Sequence, residues 1–166
     1  MSTRTTQPAG ARVHTRFWTP AVIPLGITLM LLGAWVFFVP LLGPALSFAY
    51  DTNKSWAFSG REWVFSLLPG IAIFAGGLLL FTPRAGVGWL AALLAAAGGV
   101  WVAIAPAMHA VLGNGLMLPR FGGDAHRGLV MIAYYIGAGV AATYLAAYAH
   151  GILSRRGVTS RNTIQE

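Results

Sequence analysis

Gly33-Ala34-Trp35-Val36-Phe37-Phe38-Val39-Pro40 lies within a stretch, Phe17 to Tyr50, that contains no Asp, Glu, Lys or Arg. Three further stretches are free of charge: Trp63 to Pro83, Ala85 to Pro119 and Gly128 to Ala149. A helix needs roughly 20 apolar residues to cross the hydrocarbon core of a bilayer. All four are long enough. They predict spans at about 20–42, 63–81, 88–110 and 128–149, in a single membrane domain covering 1–166 with tails at 1–16 and 150–166. Lipid offers backbone groups no partners, so the spans must be helical. The short alternating segments of a β-barrel are absent. The fold class is therefore all-α, an integral membrane four-helix bundle. The first span is long for a cleaved signal peptide, and it belongs to a repeat, so it reads as a retained helix.

The opening octapeptide returns as Gly99-Val100-Trp101-Val102-Ala103-Ile104-Ala105-Pro106. Gly, Trp, Val and Pro match at one constant offset. Small-residue runs follow in both halves, Gly70 to Gly77 and Gly137 to Ala142. The pattern predicts a duplicated two-helix hairpin. Two spans per unit make the copies parallel, related by an axis along the membrane normal.

Composition excludes several classes. Only 9% of residues are charged and 57% are hydrophobic, which is too little charge to cover a small soluble domain. The absence of cysteine removes disulfides and thiol chemistry. The net charge of +7 is not a nucleic-acid signature, because its residues are spread between apolar runs. Seven of the eleven basic residues (Arg4, Arg12, Arg16, Arg84, Arg155, Arg156 and Arg161) fall on one side of the predicted topology. Lys54, Arg61, Arg120 and Arg127 fall on the other, offset by Asp51, Glu62 and Asp124. The positive-inside rule places both termini in the cytoplasm. Trp18, Trp63 and Trp89 sit at predicted helix starts, where interfacial tryptophans belong.

Within the spans the sequence suggests packing more than chemistry. Ala91, Ala95, Gly99, Ala103 and Ala107 recur every fourth residue, and Ala133, Gly137 and Ala141 follow the same rule. Small residues at that spacing let backbones approach closely, within the bundle or against a partner. Trp35 and Trp101 lie about 7–8 Å deeper than Pro40 and Pro106. Each indole N–H then needs an acceptor, either a carbonyl freed by Pro40 or Pro106 or a polar group on a neighbouring helix. The bland reading is four structural residues. The sharper one is an outward-facing pocket for a lipid or quinone tail between Trp35, Pro40, Trp101 and Pro106.

No Asp, Glu, Lys or Arg falls inside a predicted span, which argues against proton relays and pumps. The polar groups gather in the outer loops: Asp51, Asn53, Arg61 and Glu62, then His109, Asn114, Arg120, Asp124, His126 and Arg127. His109, Asp124 and His126 are weak metal candidates without a recognised ligand spacing. With His14 and His150 on the other side, the one possible haem pairing is His109 with His126, at the outer end of the third span and the start of the fourth, and it would lie at the surface. Ser55, Ser59, Asp124 and His126 lack any nucleophile elbow. No cofactor and no catalytic residue is expected.

Arginine outnumbers lysine ten to one, and glycine and alanine abound. With its Trp-x-x-x-x-Pro repeat, the transmembrane portion is similar to uncharacterised four-helix membrane proteins of actinobacteria. It distantly resembles the SPW-repeat family of paired helices, although the Ser-Pro-Trp tripeptide is absent. The resemblance implies a bacterial plasma-membrane location and brings no catalytic residues. It also implies a role of the kind filled by accessory subunits of actinobacterial respiratory supercomplexes. The expectation is a non-catalytic accessory or scaffold protein whose partners are other membrane subunits and lipids, not nucleic acid. A lipid- or quinone-binding protein and an outer-face metal site or enzyme stand as alternatives.

Overall fold

A computed structural model describes residues 21–46, 60–114 and 122–162. The described chain is helical and contains four helices long and apolar enough to cross a membrane. Helix α1 is Val22–Leu42 and continues into a short 3-10 turn, Gly43–Leu46. Helix α2 is Gly60–Leu79, with a π-helical turn at Trp63–Leu67. Helix α3 is Ala85–His109, prolonged by a π turn at Ala110–Asn114. Helix α4 is made of Asp124–Met131, a π turn at Ile132–Gly137, and Ala138–Asn162. Here the distal end is the one where α1 finishes and α2 begins; the proximal end is where α2 gives way to α3.

The helices form a ring in chain order: α1 packs on α2, α2 on α3, α3 on α4, and α4 returns to α1. The centre is filled by Leu29, Val36, Ile73 and Val102, with Ala91, Ala95, Ala142 and Ala146 where space is tightest. The outer surface carries Leu31, Trp35, Leu68, Leu90, Val100 and Tyr144. Large apolar side chains outside and small ones inside suit a bundle bathed in lipid, where close backbone packing drives association.

Glycines set the closest approaches. A Cβ on Gly33 would collide with the backbone of Phe74 and the carbonyl of Gly70, and one on Gly70 with the backbone of Phe37. In the second hairpin, a Cβ on Gly99 would meet the Gly139 carbonyl and the Thr143 amide nitrogen. One on Gly139 would meet the Ala103 amide nitrogen and the Gly99 carbonyl. The pair Gly33/Phe37 on Gly70/Phe74 therefore has its counterpart in Gly99/Ala103 on Gly139/Thr143. The offset between counterparts is 66 residues in the first helix of each hairpin and 69 in the second. The π turns of α2 and α4 fall at that same second offset. Gly70 thus corresponds in contact geometry to Gly139, which lies within the small-residue run Gly137 to Ala142.

Two helices begin earlier than the charge-free runs predict. Helix α2 takes in Gly60, Arg61 and Glu62, and α4 takes in residues 124–127. An apolar run ends at its first charge, but helical hydrogen bonding continues into the interface. Asp124 in the first turn of α4 also favours the positive end of the helix dipole. Preceding it, Gly122 adopts a φ of 82°, and a Cβ there would strike the His126 ring. Glycine serves this turn both by conformation and by lack of bulk.

Candidate functional site

Proline leaves a carbonyl four residues earlier without its intrahelical donor. Pro40 does this to Val36 in α1. The Tyr134 hydroxyl from α4 donates to that carbonyl at 2.7 Å, in a buried setting. Pro69 acts similarly in α2, with a further step. The Leu68 amide reaches back to the Trp63 carbonyl in the π turn. The next amide position is Pro69, which has no N–H, so Val64 is left without a backbone donor. The Trp101 indole supplies it at 2.8 Å. The acceptor of the Trp101 indole is thus freed by Pro69 of the neighbouring helix, not by Pro40 or Pro106 as the sequence suggests.

Around these bonds the distal half of the bundle holds a buried polar cluster. Glu62 is 5% exposed, Ser66 1% and His109 6%. Tyr134 and Tyr135 are buried beside them, their rings edge to face at 4.5 Å. Glu62 and Ser66 are polar neighbours of the Tyr134 phenol. Ser66 Oγ nevertheless makes no hydrogen bond. Phe65 joins α2 to α3: its ring stacks on Trp101 at 6.4 Å and meets His109 edge-on at 5.7 Å. Glu62 is thus not the hydrated loop residue that the sequence suggests. It is buried within a helix, as is His109, and the bundle does carry ionisable groups in its packed interior.

The residues singled out for packing behave unequally. Ala91 and Ala95 are buried in α3, where a Cβ on Gly76 of α2 would meet Ala91 and Ala95. Gly99 is buried against α4, Ala103 is half-buried, and Ala107 is exposed. An i+4 series advances about 40° per step around a helix of 3.6 residues per turn. Five residues therefore sweep from the α2 side through the α4 side to the exterior. In α4, Ala133 and Gly137 are exposed and Ala141 is half-buried. The face turned inward is Tyr134, Tyr135, Ala138, Gly139, Ala142 and Ala146. Tyr134 and Gly139 escape the sequence reading because tyrosine is not a small residue, and Gly139 lies out of step with the small-residue series. Aligning the hairpins on Gly70-Ile71-Ala72 and Gly139-Val140-Ala141 identifies the glycine.

Trp35 is 51% exposed, while Trp101 is 37% exposed and held by Phe65 and Val64. Neither lines the open apolar groove of about 300 Å³ formed on the outside of the α1–α2 hairpin. That groove runs over Gly33 and Gly70 between Phe37, Phe38, Phe74 and Leu78. Pro40 and Pro106 do not line it either. This groove lies within one hairpin, apart from the place between the two tryptophans where the sharper sequence reading puts a pocket.

His109, Asp124 and His126 are also separated in character. His109 is buried in α3, whereas Asp124 and His126 are exposed at the start of α4. Among the described residues, no group of three His, Asp or Glu is placed to hold a metal. Asp124 instead lies 3.8 Å from Arg127, an exposed pair of little energetic weight. At the proximal end, the His150 ring lies 5.8 Å from Trp89. Asp51, Asn53, Ser55, Ser59, Arg120, His14 and Trp18 lie outside the described residues.

Comparisons with protein-family models, curated proteins and solved structures return no match.

Proposed function

We propose that this protein is a non-catalytic accessory or scaffold subunit of a membrane-protein complex in a bacterial plasma membrane. Both termini are cytoplasmic in this reading, and the chain arose by duplication of a two-helix hairpin. The equivalent glycine crossings and π turns of the two hairpins support the duplication. The excess of arginine at the proximal end and in the tails supports the orientation.

One observation carries the scaffold role. The apolar groove opens on the periphery of the bundle, over Gly33 and Gly70, instead of into its core. A surface dip floored by backbone and walled by Phe37, Phe38 and Phe74 suits a ridge of side chains on a partner helix. The filled centre supports the same reading, because a rigid bundle presents its surface in one fixed shape.

Purification from native membranes in a mild detergent tests this function. The expected result is a membrane protein retained at fixed stoichiometry. Recovery of the chain alone, or with lipid only, would remove the scaffold role and favour the lipid-binding alternative.

A further inference from the structure

The two carbonyls freed by prolines differ in how deeply their donors are placed. The bond from Trp101 to Val64 lies at an exposed position, but that from Tyr134 to Val36 is buried. Tyr134 is also the one of the two donors that has Glu62 and Ser66 as polar neighbours. Beyond Val36, the final turn of α1 contains Val39 and Leu41, both buried at the distal end. This turn passes over Pro40 and has lost one of its backbone bonds. In the same distal half, Ser66 Oγ is buried with no hydrogen-bond partner. A polar atom in that state gains when water or a polar ligand group reaches it.

We propose that Tyr134 is a latch, whose bond to the Val36 carbonyl keeps the distal turn of α1 closed over a polar compartment containing Glu62, Ser66 and His109. When the bond is broken, Val36 is left with a buried carbonyl lacking any donor. The last turn of α1 relaxes at Pro40, water satisfies the carbonyl, and the same water reaches Ser66. Hydrogen bonds between membrane helices are modest in strength, so the latch is reversible, and losing it raises the open fraction about 3- to 10-fold.

The chain has no cysteine, so Ser66→Cys introduces a unique thiol. Its labelling by a charged methanethiosulfonate is measured on purified protein in nanodiscs, against the exposed control Ala125→Cys. In the closed protein the thiol at position 66 should label far more slowly than the thiol at position 125. Adding Tyr134→Phe should accelerate labelling at position 66 about 3- to 10-fold without changing that at position 125. Adding Pro40→Ala as well supplies Val36 with a new N–H donor and should return position 66 to the slow rate. Should Y134F fail to accumulate, accumulation becomes the readout, and P40A must restore it. The latch is overturned if position 66 labels as fast as position 125 from the start, if Y134F leaves its rate unchanged, or if P40A fails to reverse the effect. None of these readings depends on finding a partner, so the scaffold role and the latch can fail separately.

Discussion

In the first hairpin, Gly33 and Phe37 cross Gly70 and Phe74; in the second, Gly99 and Ala103 cross Gly139 and Thr143. The backbones come equally close in both, and each crossing needs glycine on both helices. The flanking residues then diverge. Phe37 and Phe74 stand as walls beside their crossing and leave a groove between them. Thr143 folds its hydroxyl back onto the Gly139 carbonyl of its own helix, at 2.8 Å. Glycine therefore decides whether two helices meet, and its neighbours decide what surface the meeting leaves. The anchoring is also crossed between hairpins: Tyr134 of the second secures α1 of the first, and Trp101 of the second secures α2 of the first.

The largest effect is expected from filling a crossing. Gly33→Leu and Gly139→Leu each force a side chain into fixed backbone, and each should cost about 3 kcal/mol in the unfolding free energy measured in bicelles. If only one does, the two crossings are not equivalent. A smaller effect separates the tryptophans. Trp101→Phe removes the donor to Val64 and should cost about 0.6 kcal/mol, the average for hydrogen bonds between membrane helices. Trp35→Phe, at the matching position of the repeat but on the exposed surface, should stay within about 0.5 kcal/mol of the parent in the same assay. Equal losses would show that the two tryptophans do the same work, against the placement described.

The spans were legible because apolar runs of bilayer length leave the chain few alternatives. Helix ends were less so: Glu62 stops a hydropathy run, yet it sits buried in α2. The repeat was visible through Trp35/Pro40 and Trp101/Pro106, since those residue types are rarer in such a chain. In the second helix of each hairpin the small-residue runs leave the match to Gly70 open, because Gly137 is as good a small residue as Gly139 until contacts are known. The polar cluster was hidden for a different reason. Ser66, His109 and Tyr134 come from three helices, and no local spacing connects them. That Val64 lacks a donor follows from Pro69 only when the π turn is also known, and sequence periodicity does not reveal that turn.

The most direct test of the scaffold role compares the two hairpins at one matched pair of positions. Ile71 lines the groove of the first hairpin, and Val140 occupies the corresponding exposed position of the second. A photo-crosslinking residue is placed at each in turn, and the native membranes are irradiated. The expected result is a discrete protein adduct from position 71 and none of comparable yield from position 140. Equal protein adducts from both, or only lipid adducts from position 71, would contradict a partner seated in the groove.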